Sequence, residues 1–469
     1  MKIEQIYTGC LAQGAYYIES NGEVAIIDPL REVDHYIELA ASRGAKIKYI
    51  LETHFHADFV SGHLTLSKKT GAPIIYGPTA NPDFDAIVAE DNQEFKLGKV
   101  TIKVLHAPGH TMESSTYLVI DEEGKKHAIF SGDTLFLGDV GRPDLAQKAA
   151  HMTQEELAAT LFKSLRTKIM TLPDETVVYP GHGAGSACGK NMSKETIGSI
   201  GEEKKNNYAL RADMTEEEFV KEVTDGLTPP PAYFPMNVMM NKMGYEDIDE
   251  VLKTGKQAMT ANEFEEAANA TEAVMLDVRT QGEFAVGHVP NSIFIGLNGD
   301  FAPWVGALIK DVKQPILLIV GEDQLEEAIT RLSRVGFDHI IGYLKDNIDG
   351  WKAAGKEVGI VNSIPADTFS KEMNSGKLSV IDVRKPSEFA SEHVVDARSN
   401  PLDTINDHLS EIPSEGMNYV HCAGGYRSMI AISILKSRGI HNLTDVQGGF
   451  SAIKETSIPV SEFVCPTTL

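Results

Sequence analysis

The feature that most constrains this chain is a repeat in its second half. Leu276-Asp277-Val278-Arg279, Glu283-Phe284 and His288-Val289 return as Ile381-Asp382-Val383-Arg384, Glu388-Phe389 and His393-Val394, a period of about a hundred residues. In each copy an apolar run ends in Asp-Val-Arg, and a polar segment, a second apolar run, a helical pattern and a Gly-containing turn follow. Each copy is therefore the size of a small α/β domain. The two are placed at residues 258–358 and 360–469, and residues 1–245 form a third unit. Three domains agree with a chain of 469 residues, which exceeds what one hydrophobic core organises.

From Met1 to about Leu105 the sequence alternates strand-like runs (Val24 to Ile27, Ile47 to Leu51, Pro73 to Tyr76, Val100 to Leu105) with helical patterns such as Asp34 to Arg43, an α/β rhythm. Glu202 to Glu222 is charged and helical in pattern, and Thr228-Pro-Pro-Pro-Ala232 must end any helix there. The Met-rich stretch Pro235 to Met243 reads as adaptable packing between domains.

Chemistry gathers on loops after the apolar runs. Thr53-His54-Phe55-His56-Ala57-Asp58-Phe59 follows Tyr49-Ile50-Leu51. Ala107-Pro-Gly-His110-Thr111, Ser131-Gly-Asp133-Thr134 and Tyr179-Pro-Gly-His182-Gly183 follow in order. Imidazole and carboxylate groups converging from loops at strand ends are what a metal centre needs, and packing alone does not explain four such loops.

These motifs resemble the metallo-β-lactamase superfamily, whose members fold as an αββα sandwich with the metal at one edge. With the repeat, the fold expected is α/β and α+β multidomain: that sandwich, then two α/β domains. The departure is Phe59. Binuclear hydrolases of the superfamily, glyoxalase II enzymes among them, carry a histidine there that helps hold a second metal, and a phenyl ring has no lone pair to offer.

What remains resembles persulfide dioxygenases. The resemblance implies one Fe(II) per chain held by His54, His110 and Asp133, with His56, Asp58 and His182 beside it in supporting or substrate-side roles. Arg142, in Gly132-Asp-Thr-Leu-Phe-Leu-Gly-Asp-Val-Gly-Arg-Pro-Asp144, is either structural or reads a carboxylate of a thiol carrier. Cys188, in a glycine-rich loop, is either an inert thiol or exchanges sulfur with a bound persulfide.

The last copy holds Tyr419-Val-His-Cys422-Ala423-Gly424-Gly425-Tyr426-Arg427-Ser, a cysteine between an apolar strand and an apolar-periodic helix, Met429 to Leu435. Loop amides and the helix N-terminus stabilise negative charge on the sulfur, and Arg427 adds a positive charge. With Val446-Gln-Gly-Gly449 downstream, the domain resembles a rhodanese. Four residues separate Cys422 from Arg427, as in rhodaneses acting on sulfur, whereas related phosphatases use one more. Ala423, Gly424, Gly425 and Tyr426 would cradle a persulfide on Cys422. The first copy, a degenerate scaffold or docking domain, is expected to set Ile319 opposite Cys422 and Gln324 opposite Arg427, with no nucleophile.

Composition limits partners and place. Lys and Arg number 43 against 67 Asp and Glu, a formal charge of -24, and such a surface repels phosphate backbones and anionic lipids. No nucleic-acid or membrane partner is expected. Glu4 stands where a secretory signal needs basic residues, no apolar run can span a bilayer, and Cys10, Cys188, Cys422 and Cys465 lie too scattered for a disulfide framework. A cytoplasmic enzyme, assembled as a homo-oligomer, is expected. The activity expected is oxidation of a low-molecular-weight thiol persulfide by O2 to sulfite, coupled to thiosulfate formation or use through Cys422. The alternatives are a glyoxalase II-like zinc thioester hydrolase with a sulfurtransferase domain, or a non-catalytic sulfur carrier or sensor.

Overall fold

The computed structural model describes residues 1–376 and 378–465; the last four positions of the expected 360–469 domain lie outside the described residues. It divides into two compact units, Met1–Glu250 with Leu332–Asp338, and Val251–Arg331 with His339–Leu469.

The first unit is built on two six-stranded sheets. One runs in chain order through Lys2–Thr8, Gln13–Ser20, Glu23–Ile27, Lys46–Leu51, Ile74–Tyr76 and Ile87–Val88. The other holds Glu94–Leu97, Val100–His106, Ser115–Ile120, Lys126–Gly132, Val177–Pro180 and Gly198–Ser199. Side chains alternate along each strand, so Tyr16 and Ile18 meet Val104, Tyr117 and Phe130 between the sheets. Ala15 and Tyr17 face the other way, onto Tyr36 and Ala40 of the helix Asp34–Ser42 and Leu66 of His63–Thr70. On the outer face of the second sheet, Leu118 and Ile129 pack with Leu161 of Gln154–Ser164 and Phe219 of Glu216–Thr224. Two sheets with helices outside both make the expected αββα sandwich. The charged stretch expected to be helical is interrupted at Asn207–Thr215, between Ile200–Asn206 and Glu216–Thr224. The proline run separates Glu216–Thr224 from the Met-rich helix Phe234–Met243.

The second unit carries two five-stranded parallel sheets of one topology. In each, the strands lie in the order first, fifth, fourth, second, third. The Asp-Val-Arg repeat is architectural in both copies. Arg279 returns to grip Asp277 and the Gly287 carbonyl, and Arg384 grips Asp382 and the Glu392 carbonyl. Each buried carboxylate thus has its cation beside it. The strand register corrects the expected alignment by one residue. Asp277 pairs with Ile319 and Asp382 with His421, so Val320, rather than Ile319, stands at the place of Cys422. The loop after the strand in the first copy opens with a 3-10 turn, Glu322–Gln324, a difference that residue matching from the helices alone could not register.

Candidate metal centre and sulfur-transfer loop

In the first unit the loops after Lys46–Leu51, Val100–His106, Lys126–Gly132 and Val177–Pro180 meet at one edge of the sandwich. His54, His110 and Asp133 are nearly fully buried, and one donor atom of each lies within 4.8 Å of the others. The Nε2 atoms of His54 and His110 stand 3.9 and 3.5 Å from Asp133 Oδ2, and His182 Nε2 is 3.6 Å from Asp133 Oδ1. The close approach of these loops needs glycine. A Cβ on Gly181 would come within 2.6 Å of Asp133 Oδ1, and one on Gly132, at φ +50°, within 2.6 Å of Thr53.

Each ring is oriented from behind. His54 Nδ1 lies 3.0 Å from Thr53 Oγ1, His110 Nδ1 2.9 Å from the Arg142 carbonyl, and His182 Nδ1 3.2 Å from the Ala12 carbonyl. Those acceptors place the proton on Nδ1 and leave Nε2 with its lone pair toward Asp133. Burial, then the charges of His56, His110 and His182, hold the His54 pKa well below the ordinary range, so its ring is neutral. Among the described residues, both Asp133 oxygens and His182 Nε2 are buried without a hydrogen-bond partner. Orphaned carboxylate oxygens facing imidazole Nε2 atoms fit a cation, which supplies the missing partner.

His56 does not join this set. Its Nε2 points away, 3.1 Å from Asp28 Oδ1 and 3.4 Å from Glu52 Oε2. Burial alone would lower its pKa, but the two carboxylates overcome this and raise it well above the ordinary value. Asp28 also accepts the Thr53 amide and hydroxyl at 2.8 Å each, so the carboxylate that holds His56 also braces the residue behind His54. Asp28 and Glu52 were not singled out in the sequence; an acid closing the apolar run Val24 to Ile27 was the available signal.

Phe59 is fully buried against His56, ring centroids 4.3 Å apart. A phenyl ring offers no ligand at this position, but other donors gather close by. Asp58, His182 and Cys188 are all buried with one donor atom of each within 4.8 Å of the others. Burial, with Asp58 and Asp133 nearby, pushes the Cys188 thiol well up, so it rests as a neutral S–H. Its loop is pinned by Asp139, which accepts the Lys190 and Asn191 amides at 2.6 Å each.

Arg142 is held on several sides. Its guanidinium forks onto Asp144 at 2.7 and 2.7 Å and donates to the Ala187 and Thr228 carbonyls, partners that fit the structural reading of the two. Through its backbone it receives the His110 proton and donates to the Cys188 carbonyl, tying both loops together.

In the second unit Cys422 ends the strand Asn418–His421 with its sulfur buried. The Gly425 amide donates to Sγ at 3.1 Å, and Ser428, anchored on Asp445 at 2.8 Å, stands 3.7 Å from it. The Gly448-Gly449 turn backs the loop: a Cβ on Gly449, at φ +55°, would lie 2.3 Å from the Cys422 carbonyl. Arg427 stands in the first turn of the helix Tyr426–Ser437, and its charge is already paired, bidentate on Glu388 at 2.6 and 2.9 Å. Glu388 was read only as part of the repeat. Ala423 and Gly424 lie in the loop between Cys422 and Gly425, while Tyr426 donates its hydroxyl to the Gly296 carbonyl.

Family comparisons follow this division. The Metallo-beta-lactamase superfamily model matches residues 8–182, and the Rhodanese-like domain model matches 260–354 and 365–456. The chain is 32% identical over 187 residues to a cytoplasmic hydroxyacylglutathione hydrolase of Arabidopsis thaliana, covering 39% of this chain and 67% of that protein. It is 29% identical over 210 residues to persulfide dioxygenase ETHE1, mitochondrial, of Mus musculus, covering 44% of this chain and 73% of the relative. A crystal structure of a metallo-beta-lactamase from Staphylococcus aureus aligns with a TM-score of 0.64 and 31% identity over 73% of this chain and 98% of that one. The chain belongs to the metallo-beta-lactamase superfamily and is a fusion of such a domain with two rhodanese-like domains in tandem.

Proposed function

We propose that the first domain oxidises a low-molecular-weight thiol persulfide to sulfite at one Fe(II), and that Cys422 moves sulfane sulfur as its persulfide. The observation that carries this reading is the donor set: two imidazole nitrogens and one carboxylate facing inward, with Phe59 where binuclear hydrolases place a ligand. His54, His110 and Asp133 would hold the iron, which when bound supplies open positions for oxygen and a sulfur ligand. Thr53 and the Arg142 carbonyl keep the His54 and His110 protons at Nδ1. His182, Asp58 and Cys188 line the neighbouring space, where a persulfide carrier must enter.

At the other centre the Gly425 amide donates to Cys422 Sγ at the start of the helix Tyr426–Ser437. Attack by sulfite on the outer sulfur of a Cys422 persulfide breaks its S–S bond, forms the S–S bond of thiosulfate and leaves the Cys422 thiolate. The reverse, with thiosulfate as donor, uses the same groups. The similarity to a protein named persulfide dioxygenase supports the oxygenase reading.

A second reading, thioester hydrolysis on zinc, is favoured by the hydroxyacylglutathione hydrolase relative and by the Asp58, His182 and Cys188 donors. Glutathione persulfide and a glutathione thioester offered in parallel separate the two. The oxygenase reading expects sulfite from the persulfide in air and no thioester cleavage. Thioester cleavage that depends on two bound zinc ions would replace it with the second reading.

A further inference from the structure

We propose that the cysteine-free copy positions the sulfur-transfer loop of its neighbour, acting through Tyr426. Tyr426 closes the Cys422–Arg427 loop and begins the helix Tyr426–Ser437. Its hydroxyl donates to the Gly296 carbonyl, 130 residues away in the first copy, at 2.7 Å. Its ring meets Phe294 edge to face, with centroids 5.9 Å apart. Gly299 lies directly beneath that ring, and a Cβ there would come within 2.4 Å of Tyr426 Cζ.

The turn that receives Tyr426 is itself braced. Arg331 donates to the Leu297 carbonyl at 2.6 Å and the Gly299 carbonyl at 3.2 Å, and its guanidinium sits over the Phe301 ring. A second tie lies two turns along the helix, where the Phe294 amide donates to Ser433 Oγ at 2.9 Å. Phe294 belongs to Ile293–Phe294, the last strand in the first copy's sheet, so an edge amide that would otherwise face outward is satisfied by the neighbour's helix. The burial of that helix agrees: every residue from Ser428 to Leu435 is buried. A helix buried on all sides must be covered on the face its own sheet does not reach.

These ties fix where the helix starts, and the helix start sets the loop amides. Gly425, at φ +101°, immediately precedes Tyr426 and supplies the amide 3.1 Å from Cys422 Sγ. Holding Tyr426 therefore holds that amide on the sulfur, and the copy without a cysteine supplies the anchoring turn. Tyr426 is a positioning residue, since its hydroxyl does not touch the sulfur.

This inference rests on Cys422 being the sulfur carrier, so the test includes a readout independent of turnover. Full-length Tyr426→Phe keeps the ring and loses the hydrogen bond; Gly299→Ala pushes the ring out from the other copy. Two quantities are measured: the rate at which iodoacetamide labels Cys422 at neutral pH, followed on the Cys422 peptide, and the kinetics of transfer from thiosulfate to cyanide. We expect both variants to label Cys422 more slowly and to lower kcat roughly 3- to 10-fold, the size of one net hydrogen bond, with little change in KM. Native labelling and native kcat in folded Tyr426→Phe would overturn the proposal, whether or not Gly299→Ala folds. Altered labelling in a protein that transfers no sulfur even as wild type would leave the positioning intact and remove the carrier role instead.

Discussion

Thr53 Oγ1 lies 3.0 Å from His54 Nδ1 and donates its own hydrogen to Asp28 Oδ2 at 2.8 Å. The proton on His54 is thereby kept on the side away from Asp133, and a single hydroxyl links the metal-facing ring to a buried acid. Thr53→Val preserves shape and removes that link. Metal affinity should fall by roughly 10-fold, the usual effect of losing a group that orients a ligand, while the melting temperature of the metal-free protein changes little. Competition with a chelator measures it, and unchanged affinity would reduce Thr53 to packing.

Asp133→Ala should abolish metal binding and oxygen uptake, because both carboxylate oxygens face the donor cluster and have no hydrogen-bond partner among the described residues. Removing a buried unpaired acid should leave the metal-free fold as stable as before or more so, by about 1 kcal/mol or more. Elemental analysis beside a melting curve tests both parts. A variant that retains full iron would show that the ligand set is wrong.

Cys422→Ser changes one atom and leaves the Gly425 and Ser428 contacts available. A hydroxyl cannot carry sulfane sulfur, so thiosulfate should give way to free sulfite while oxygen uptake on a diffusible persulfide persists. Joint loss of thiosulfate and oxygen uptake, with iron retained, would mean that Cys422 must feed the iron centre.

His288 gives the first rhodanese-like copy a predictable acid limb. Burial, with Lys436 and Arg279 adding to it against the Phe284 carbonyl, pushes its pKa down to about 4. The ring is stacked on Phe284 at 4.0 Å in its neutral form. Its contribution is complete above the unfolded value near 6.5 and is lost as pH falls from there toward 4, at most about 3 kcal/mol. The urea midpoints of wild type and His288→Gln should therefore converge as pH drops across that window. A gap that stays constant would mean that the ring titrates normally.

Much of this was legible in the sequence because the relevant groups are adjacent in the chain. Asp277 with Arg279, and Asp382 with Arg384, are pairs two residues apart that carry their own geometry, so the repeat announced both domains. His54, His110, Asp133 and His182 each follow an apolar strand, and strands in one sandwich deliver their ends to one edge. Contacts set by tertiary packing were not legible. Glu388 meets Arg427 across 39 residues and Tyr426 meets Gly296 across 130. No local pattern distinguishes a loop arginine aimed at sulfur from one held by a carboxylate. The Met429 to Leu435 helix reads as periodic, yet it is buried all round because the other copy covers its second face. The one-residue error at Ile319 arose because helix matching cannot detect a difference in the loop before the helix.

The central claim, oxygenation of a persulfide at a single iron, is tested most directly by an oxygen electrode on iron-replete protein supplied with glutathione persulfide. The balanced reaction takes one persulfide, one O2 and one water to one thiol and one sulfurous acid, so the account predicts one O2 consumed per persulfide and one iron per chain. Persulfide turnover that proceeds equally without oxygen, in protein holding two zinc ions, would contradict it.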